Sequence, residues 1–408
     1  MPWIVATLAV VVLAVTAFQP RPRTSVTGGA AAVDGSDPDT AMSAPSTDAP
    51  TSTAGVEGTA EDARPAAVTL PASCERLPLR RRAALVLVVG MPDVTDPADP
   101  LVDDLIDLGV GGVFLSGYNV ASRSQVAALV EALHEGATPT PLVATDEEWG
   151  RVSSFRDLLG PTSSPRTLAA TRAPREVRAA ARALGEDLAA LGVDWDFAPL
   201  ADLDDGPAGG VIGDRAFGPT ADVAGRYARA FARGLDRAGV LATVKHFPGH
   251  GAVASDVDPH SRTVPSTATW RELRDEHLPP FERLIADDVP VVMLNHVSYR
   301  TLDRRRPASM SPRAYDLLRA TGFDGVAITD SIGMGAVHRR WGFPAAAEQA
   351  LRAGADAVLA TDGTQARRMR RRLVAAVRAG RLSEARLDEA AARMLALRED
   401  PSPCATAD

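Results

Sequence analysis

From Ala84 onward the chain alternates between short apolar runs and longer stretches rich in Ala, Arg and Leu. The short runs are Ala84–Val89, Gly112–Leu115, Pro141–Thr145, Trp195–Pro199, Leu241–Lys245, Val291–Asn295, Gly325–Thr329 and Ala357–Ala360. Each is followed by a stretch that reads as a helix: Pro100–Leu108, Ser122–Glu135, Arg175–Leu191, Ala221–Ala238, Trp270–Asp287, Pro312–Thr321, Ala345–Ala353 and Gln365–Ala379. This alternation is the pattern of parallel strands covered by helices. Gly109, Gly192, Gly239, Gly322 and Gly354 stand where helices should stop. Eight strand-helix units in roughly 320 residues predict an α/β fold of the (β/α)8 TIM-barrel type, and a last helix, Ser383–Arg398, is expected to pack outside it. An open doubly wound sheet is the alternative, but Val89-Gly90-Met91-Pro92 after the first strand offers no Gly-rich phosphate loop.

In such barrels chemistry sits at the C-terminal ends of the strands. The unusual polar residues fall there: Asp146 and Glu147 after strand three, Asp202 after four, Lys245 and His246 after five, Asn295 and His296 after six, Asp330 after seven. Their common position is the first functional signal.

Ahead of the barrel, Ile4 to Phe18 is apolar apart from Thr7 and Thr16. That is the length of a signal-peptide core and short for a membrane span of ~20 residues. Residues 1–18 are therefore expected to be an export signal or an uncleaved anchor, which would place the protein outside the cytoplasm. Residues 19–72 are rich in Ala, Pro, Ser, Thr, Gly and Asp and read as a disordered linker, since they cannot bury enough apolar surface to offset chain entropy. The folded domain is expected over 74–400. The only two cysteines, Cys74 and Cys404, flank it and would either staple its ends or remain free thiols.

Charge narrows the function. With 44 basic and 52 acidic residues the net charge is −8, which argues against a general nucleic-acid binder or a cationic membrane-surface protein. Only one basic residue, Lys245, is lysine. Arginine has replaced lysine wherever charge alone sufficed, and at Lys245 a planar guanidinium is not equivalent to a compact ammonium.

Three constellations carry candidate chemistry, each with a plainer alternative. Asp330, in Ala327-Ile328-Thr329-Asp330, either caps the next helix or presents a nucleophilic carboxylate at the barrel mouth. The segment Lys245-His246-Phe247-Pro248-Gly249-His250-Gly251, followed by Asp258-Pro259-His260, holds a cluster of histidines. His246, His250, Asp258 and His260 would serve as a metal site. Pro248-Gly249 breaks any helix between the first two, so the run reads instead as a long loop bringing an Asp258–His260 acid/base pair over a pocket. Arg215, in Gly213-Asp214-Arg215-Ala216-Phe217-Gly218, is either a solvated surface charge or a cation held toward that pocket.

Together, Lys245–Gly251, the Thr329-Asp330-x-x-x-Met334 pattern, Ile212–Gly218 and Asp196-Phe197-Ala198-Pro199 resemble glycoside hydrolase family 3, across about residues 80–398. The nearest likeness is to its single-domain bacterial β-N-acetylglucosaminidases, which act on cell-wall fragments. The resemblance implies a retaining exo-hydrolase in which Asp330 is the nucleophile and His260, paired with Asp258, the acid/base. It also implies that Asp146, Arg215, Lys245 and His246 bind the sugar, that a carbohydrate is the partner, and that no metal or other cofactor is required. A monomer is expected. Two departures stand out: Pro259 inside the dyad, and Thr145-Asp146-Glu147-Glu148-Trp149-Gly150 where the family is more Gly-rich. The second is expected to alter what lies beyond the first sugar. A phosphorylase on the same fold and an extracytoplasmic sugar-binding protein are the competing readings.

Overall fold

Eight parallel strands run side by side in chain order: β1 (Leu87–Gly90), β2 (Gly112–Leu115), β3 (Leu142–Thr145), β4 (Trp195–Asp196), β5 (Leu241–Phe247), β6 (Val291–Leu294), β7 (Val326–Thr329) and β8 (Val358–Ala360). They come from a computed structural model that describes residues 69–70, 77–253 and 261–398. The apolar N-terminal run, the linker, Cys74 and Cys404, and the Asp258–His260 pair lie outside the described residues. The eighth strand pairs back onto the first, with Leu87 opposite Val358. The β7–β8 seam is joined by the Ile328–Ala357 bridge and by the Asp356 amide, which donates to the Ala327 carbonyl at 2.8 Å. The ring is thereby nearly closed, as expected of a (β/α)8 barrel.

The period-two alternation of strands sorts the core into two shells. Val88, Phe114, Leu142, Ala144, Val291, Met293, Val326 and Ile328 point inward and fill the barrel with Trp195 and Phe197. Their sequence neighbours Leu87, Val89, Val113, Leu115, Val143, Val292 and Ala327 point outward and meet the helices. The interior is a packed floor, so a ligand has room only at the rim.

Four element assignments needed correction. The chain enters through a helix, Leu79–Leu85, so β1 begins three residues later than its apolar run suggested. Ala83, Ala84 and Leu85 are buried in that helix, and continuous burial hides the period that would have told helix from strand. The run expected over Trp270–Asp287 is three pieces, with a π-helical turn at Leu273–His277 and a new start at Pro279. A helical run already starts at Gly335 and breaks at Gly342 (φ +62°), ahead of the predicted Ala345. Finally, the last helix, Glu384–Ala396, does not stay outside: Met394 joins the barrel interior. Arg386 and Arg393 of the same helix grip the fully buried Asp356. This helix closes the N-terminal end of the barrel and leaves the C-terminal rim as the open face. Among the described residues no helix is long and apolar enough to cross a membrane.

Candidate active site

Asp330 follows the last residue of β7. Its amide donates to the Leu294 carbonyl of β6 at 2.9 Å, and its Oδ1 accepts from the Ser331 amide at 2.7 Å. The next helix is capped at Met334, so Asp330 is not its N-cap. Burial pushes the carboxyl up, but His296, His246, the Ser331 amide and Lys245 outweigh it and hold the group below the ordinary aspartate range. Asp330 is therefore an ionised carboxylate at neutral pH, the form a nucleophile requires.

Around it lies a cavity of about 580 Å³ at the barrel rim, lined by Asp146, Arg215, Lys245, His246, His250 and Asp330, with Met293, Met334 and Leu359 on its apolar side. That volume is ordinary for a small-ligand site. Every described residue that the sequence nominated for sugar binding is here.

Lys245, at the end of β5, is buried, with Nζ 2.6 Å from Asp146 Oδ1 and 2.5 Å from Glu148 Oε1. Burial alone would lower its pKa, but the two carboxylates raise it, so the ammonium stays charged. Glu148 also receives a two-pronged hydrogen bond from Arg215, Nε to Oε2 at 2.6 Å and Nη2 to Oε1 at 2.7 Å. Arg215 and Lys245 overcome the burial of Glu148 and hold its carboxyl far below the usual range. Glu148 thus clamps two cations, one from β5 and one from the loop after β4, into one fixed array. The loop carrying Arg215 is itself braced: Arg151 donates to the Ile212 carbonyl at 2.9 Å and to Asp214 at 3.0 Å. Gly213 sits at φ +57° with the Ala208 carbonyl where a Cβ would be, so the turn there needs glycine.

His246 follows a cis Lys245–His246 peptide. Its Nδ1 lies 2.6 Å from Asp202 Oδ2, and its amide donates to the same oxygen at 3.1 Å. Asp202 Oδ1 accepts from the His250 amide at 2.6 Å. Asp202 is fully buried, and burial would raise its pKa, but the histidine contacts bring it below the usual range. An ionised Asp202 can only accept, so His246 Nδ1 carries a hydrogen and Nε2 is left for the cavity. Asp202→Asn should remove this charge-assisted bond and free the tautomer. We expect kcat/KM to fall roughly 10- to 150-fold with Tm lowered by only about 2–5 °C. A rate within twofold of the parent enzyme would show that the pair does not position His246. His250 is also buried, its Nε2 has no partner among the described residues, and burial pushes its pKa down to about 4. Its ring is therefore neutral. Both amides and the His246 Nδ1 are thus committed to Asp202, while Asp258 and His260, the other members of the histidine-rich segment, lie outside the described residues.

Sequence reasoning missed two members of this site. Glu148 was seen only as part of an unusually bulky segment, and Asp202 only as a polar residue at the rim. Of this segment Asp146 and Glu148 line the cavity, whereas Trp149 and Glu147 do not. Trp149 adopts φ +69° and turns into the core, edge-on to Phe231 at 4.5 Å. Glu147 is likewise buried, its Oε2 accepting from the Phe155 amide at 3.0 Å.

A barrel with an ionised carboxylate and a clamped set of charges at its C-terminal rim is a barrel enzyme, with a site suited to a polar, hydroxyl-rich ligand. Comparison with known proteins gives the class its family. Residues 82–397 match the glycosyl hydrolase family 3 N terminal domain. The chain is 37% identical over 363 residues to Beta-hexosaminidase LpqI of Mycobacterium tuberculosis, covering 84% of this chain and 90% of that protein. A crystal structure of a GH3 glycosyl hydrolase from Mycobacterium smegmatis superposes with a TM-score of 0.74 at 37% identity, covering 80% of this chain and 98% of that one. A family 3 β-N-acetylglucosaminidase from Paenibacillus sp. gives a TM-score of 0.74 at 32% identity, over 81% of this chain and 64% of that one. The chain belongs to glycoside hydrolase family 3, and it is a glycosidase.

Proposed function

We propose that the protein is a retaining exo-β-N-acetylglucosaminidase that removes terminal β-linked N-acetylglucosamine from cell-wall fragments outside the cytoplasm. The observation that carries the reading is the ionised Asp330 on the wall of a cavity whose other polar groups are already locked in place. The hexosamine specificity draws on the related hexosaminidases and the family 3 β-N-acetylglucosaminidase. Export and the cell-wall substrate draw on the N-terminal apolar run and the family resemblance.

In the proposed mechanism Asp330 attacks the anomeric carbon as the glycosidic bond breaks, and His260 gives its proton to the leaving oxygen. Water, deprotonated by His260, then displaces the carboxylate, so two inversions preserve the β configuration. Lys245, Arg215 and Asp146 fix the sugar hydroxyls, and His246 Nε2 hydrogen-bonds to one of them. Water is favoured over phosphate as acceptor, because Lys245 and Arg215 already face Asp146 and Glu148 and leave no spare cation beside Asp330 for a phosphate dianion.

The test is hydrolysis of 4-nitrophenyl N-acetyl-β-D-glucosaminide and of a muropeptide, with products followed by NMR. Release of β-N-acetylglucosamine as first product supports the reading. Sugar-1-phosphate formed in phosphate buffer would assign a phosphorylase, and sugar binding without turnover a binding protein. His260→Ala should retain much more activity on the nitrophenyl substrate than on the natural disaccharide, since nitrophenolate leaves without a proton. Equal losses on both would remove His260 from the acid role.

A further inference from the structure

The net charge of −8 conceals a strongly basic patch. The entry helix Leu79–Leu85 packs beside the helix Ala366–Arg378, which follows β8, and both are dense in arginine. Some of these arginines are neutralised: Arg82 by Glu384 and Asp388, Arg367 by Asp104 at 2.8 Å, Arg372 by Glu348 at 2.5 Å. Others are not. Arg80, Arg81, Arg370, Arg371 and Arg378 have no carboxylate partner among the described residues. Arg80, Arg370, Arg371 and Arg378 rim an open trough of about 450 Å³ whose floor includes Val374 and Ala375. Arg370 is half-buried there, and besides burial, the groups that lower its pKa are four other arginines: Arg367, Arg81, Arg80 and Arg371. A solvated helix face would intersperse acids to relieve this repulsion. Here like charges are held together around an apolar floor, an arrangement that gains energy when anions arrive.

The patch also has a definite place in the fold. Ala366 begins near the C-terminal rim, and the helix runs back toward the N-terminal end of the barrel, where Arg378 and the entry helix lie. It is on the flank and rear of the domain, away from Asp330.

We infer that this arginine-rimmed trough is a docking surface for the phosphate headgroups of an anionic lipid bilayer, holding the barrel with its catalytic rim turned away from the membrane. Guanidinium groups match phosphate oxygens two at a time, and the Val374–Ala375 floor suits the apolar edge of the headgroup layer, which a soluble polyanion would not use. The inference does not depend on which sugar the rim takes.

The test uses the full chain and sedimentation with vesicles of phosphatidylcholine alone or mixed equally with phosphatidylglycerol. The parent protein should prefer the anionic vesicles, and 500 mM NaCl should abolish the preference. The triple variant Arg370→Gln, Arg371→Gln, Arg378→Gln should bind anionic vesicles at least ~tenfold more weakly. Its binding to phosphatidylcholine, which reports the apolar N-terminal run, should be unchanged. Glycosidase activity equal to the parent's verifies folding. If the triple variant folds poorly, the exposed Arg371→Gln alone should still weaken anionic binding several-fold. Equal partition onto both vesicle types, or a folded variant that binds like the parent, would overturn the proposal. Tight binding to soluble polyphosphate without any vesicle preference would instead assign the trough to a free polyanion.

Discussion

Replacing Asp330 by alanine is expected to lower kcat/KM on 4-nitrophenyl N-acetyl-β-D-glucosaminide by roughly 10³- to 10⁵-fold while leaving the fold intact. The fold should survive because the backbone places this residue: the Asp330 amide is tied to Leu294, and the side chain accepts from the adjacent Ser331 amide. The rate should collapse because, among the described residues, no other group in the cavity combines a free, ionised carboxylate with an open approach. Asp146 and Glu148 both lie against Lys245, and Glu148 is bound by Arg215 as well. Added azide should enter the space left by the carboxylate, partly restore turnover and yield the α-glycosyl azide, an outcome that lost structure could not produce. A variant with an unaltered rate would mean that the nucleophile is elsewhere.

Glu148→Gln is expected to have the largest effect on stability. The amide keeps the shape and removes the charge that two buried cations share. Removing one partner of a buried ion pair typically costs about 3–5 kcal/mol, because the remaining charge is left uncompensated. In a domain of this size that corresponds to a fall in Tm of roughly 4–8 °C. KM should rise as well, since Lys245 and Arg215 lose the clamp that sets their spacing. The sign of the pH effect follows from the depressed Glu148 carboxyl. A group with a lowered folded-state pKa stabilises fully above its unfolded value, the ordinary glutamate value of 4.5, and loses that contribution as the pH falls below it. The parent protein should therefore lose stability below pH 4.5 more steeply than Glu148→Gln, and thermal melts across pH 3–7 would show it. Parallel curves, or a Tm within a degree of the parent's, would show that Glu148 is not the clamp.

Much of this was legible in the sequence because barrels impose a regular pattern. Eight strands could be counted from apolar runs between helical stretches, and the rim was found by reading the polar residue after each run. Asp330, Lys245, His246, Arg215 and Asp146 were all found that way or through their motif. What escaped depended on contacts distant in the sequence. Glu148 acquires its role only when Arg215, 67 residues later, folds back onto it. Asp202 becomes the anchor of His246 and His250 through contacts 44 and 48 residues away. Trp149 follows an opposite logic: its size suggested a lining for the cavity, whereas the neighbouring Phe231 offered a more apolar place for the ring. The entry helix was misread because alanines and leucines buried on all sides carry no period.

The central claim is that one side chain, Asp330, carries the sugar between two displacements. It is tested most directly by trapping the enzyme with a fluorinated N-acetylglucosaminyl donor that esterifies faster than it hydrolyses, followed by peptide mapping. The account predicts one added glycosyl group per chain, on the peptide bearing Asp330, and none in Asp330→Ala. An ester on any other residue, or turnover with inverted configuration and no trapped adduct, would contradict it.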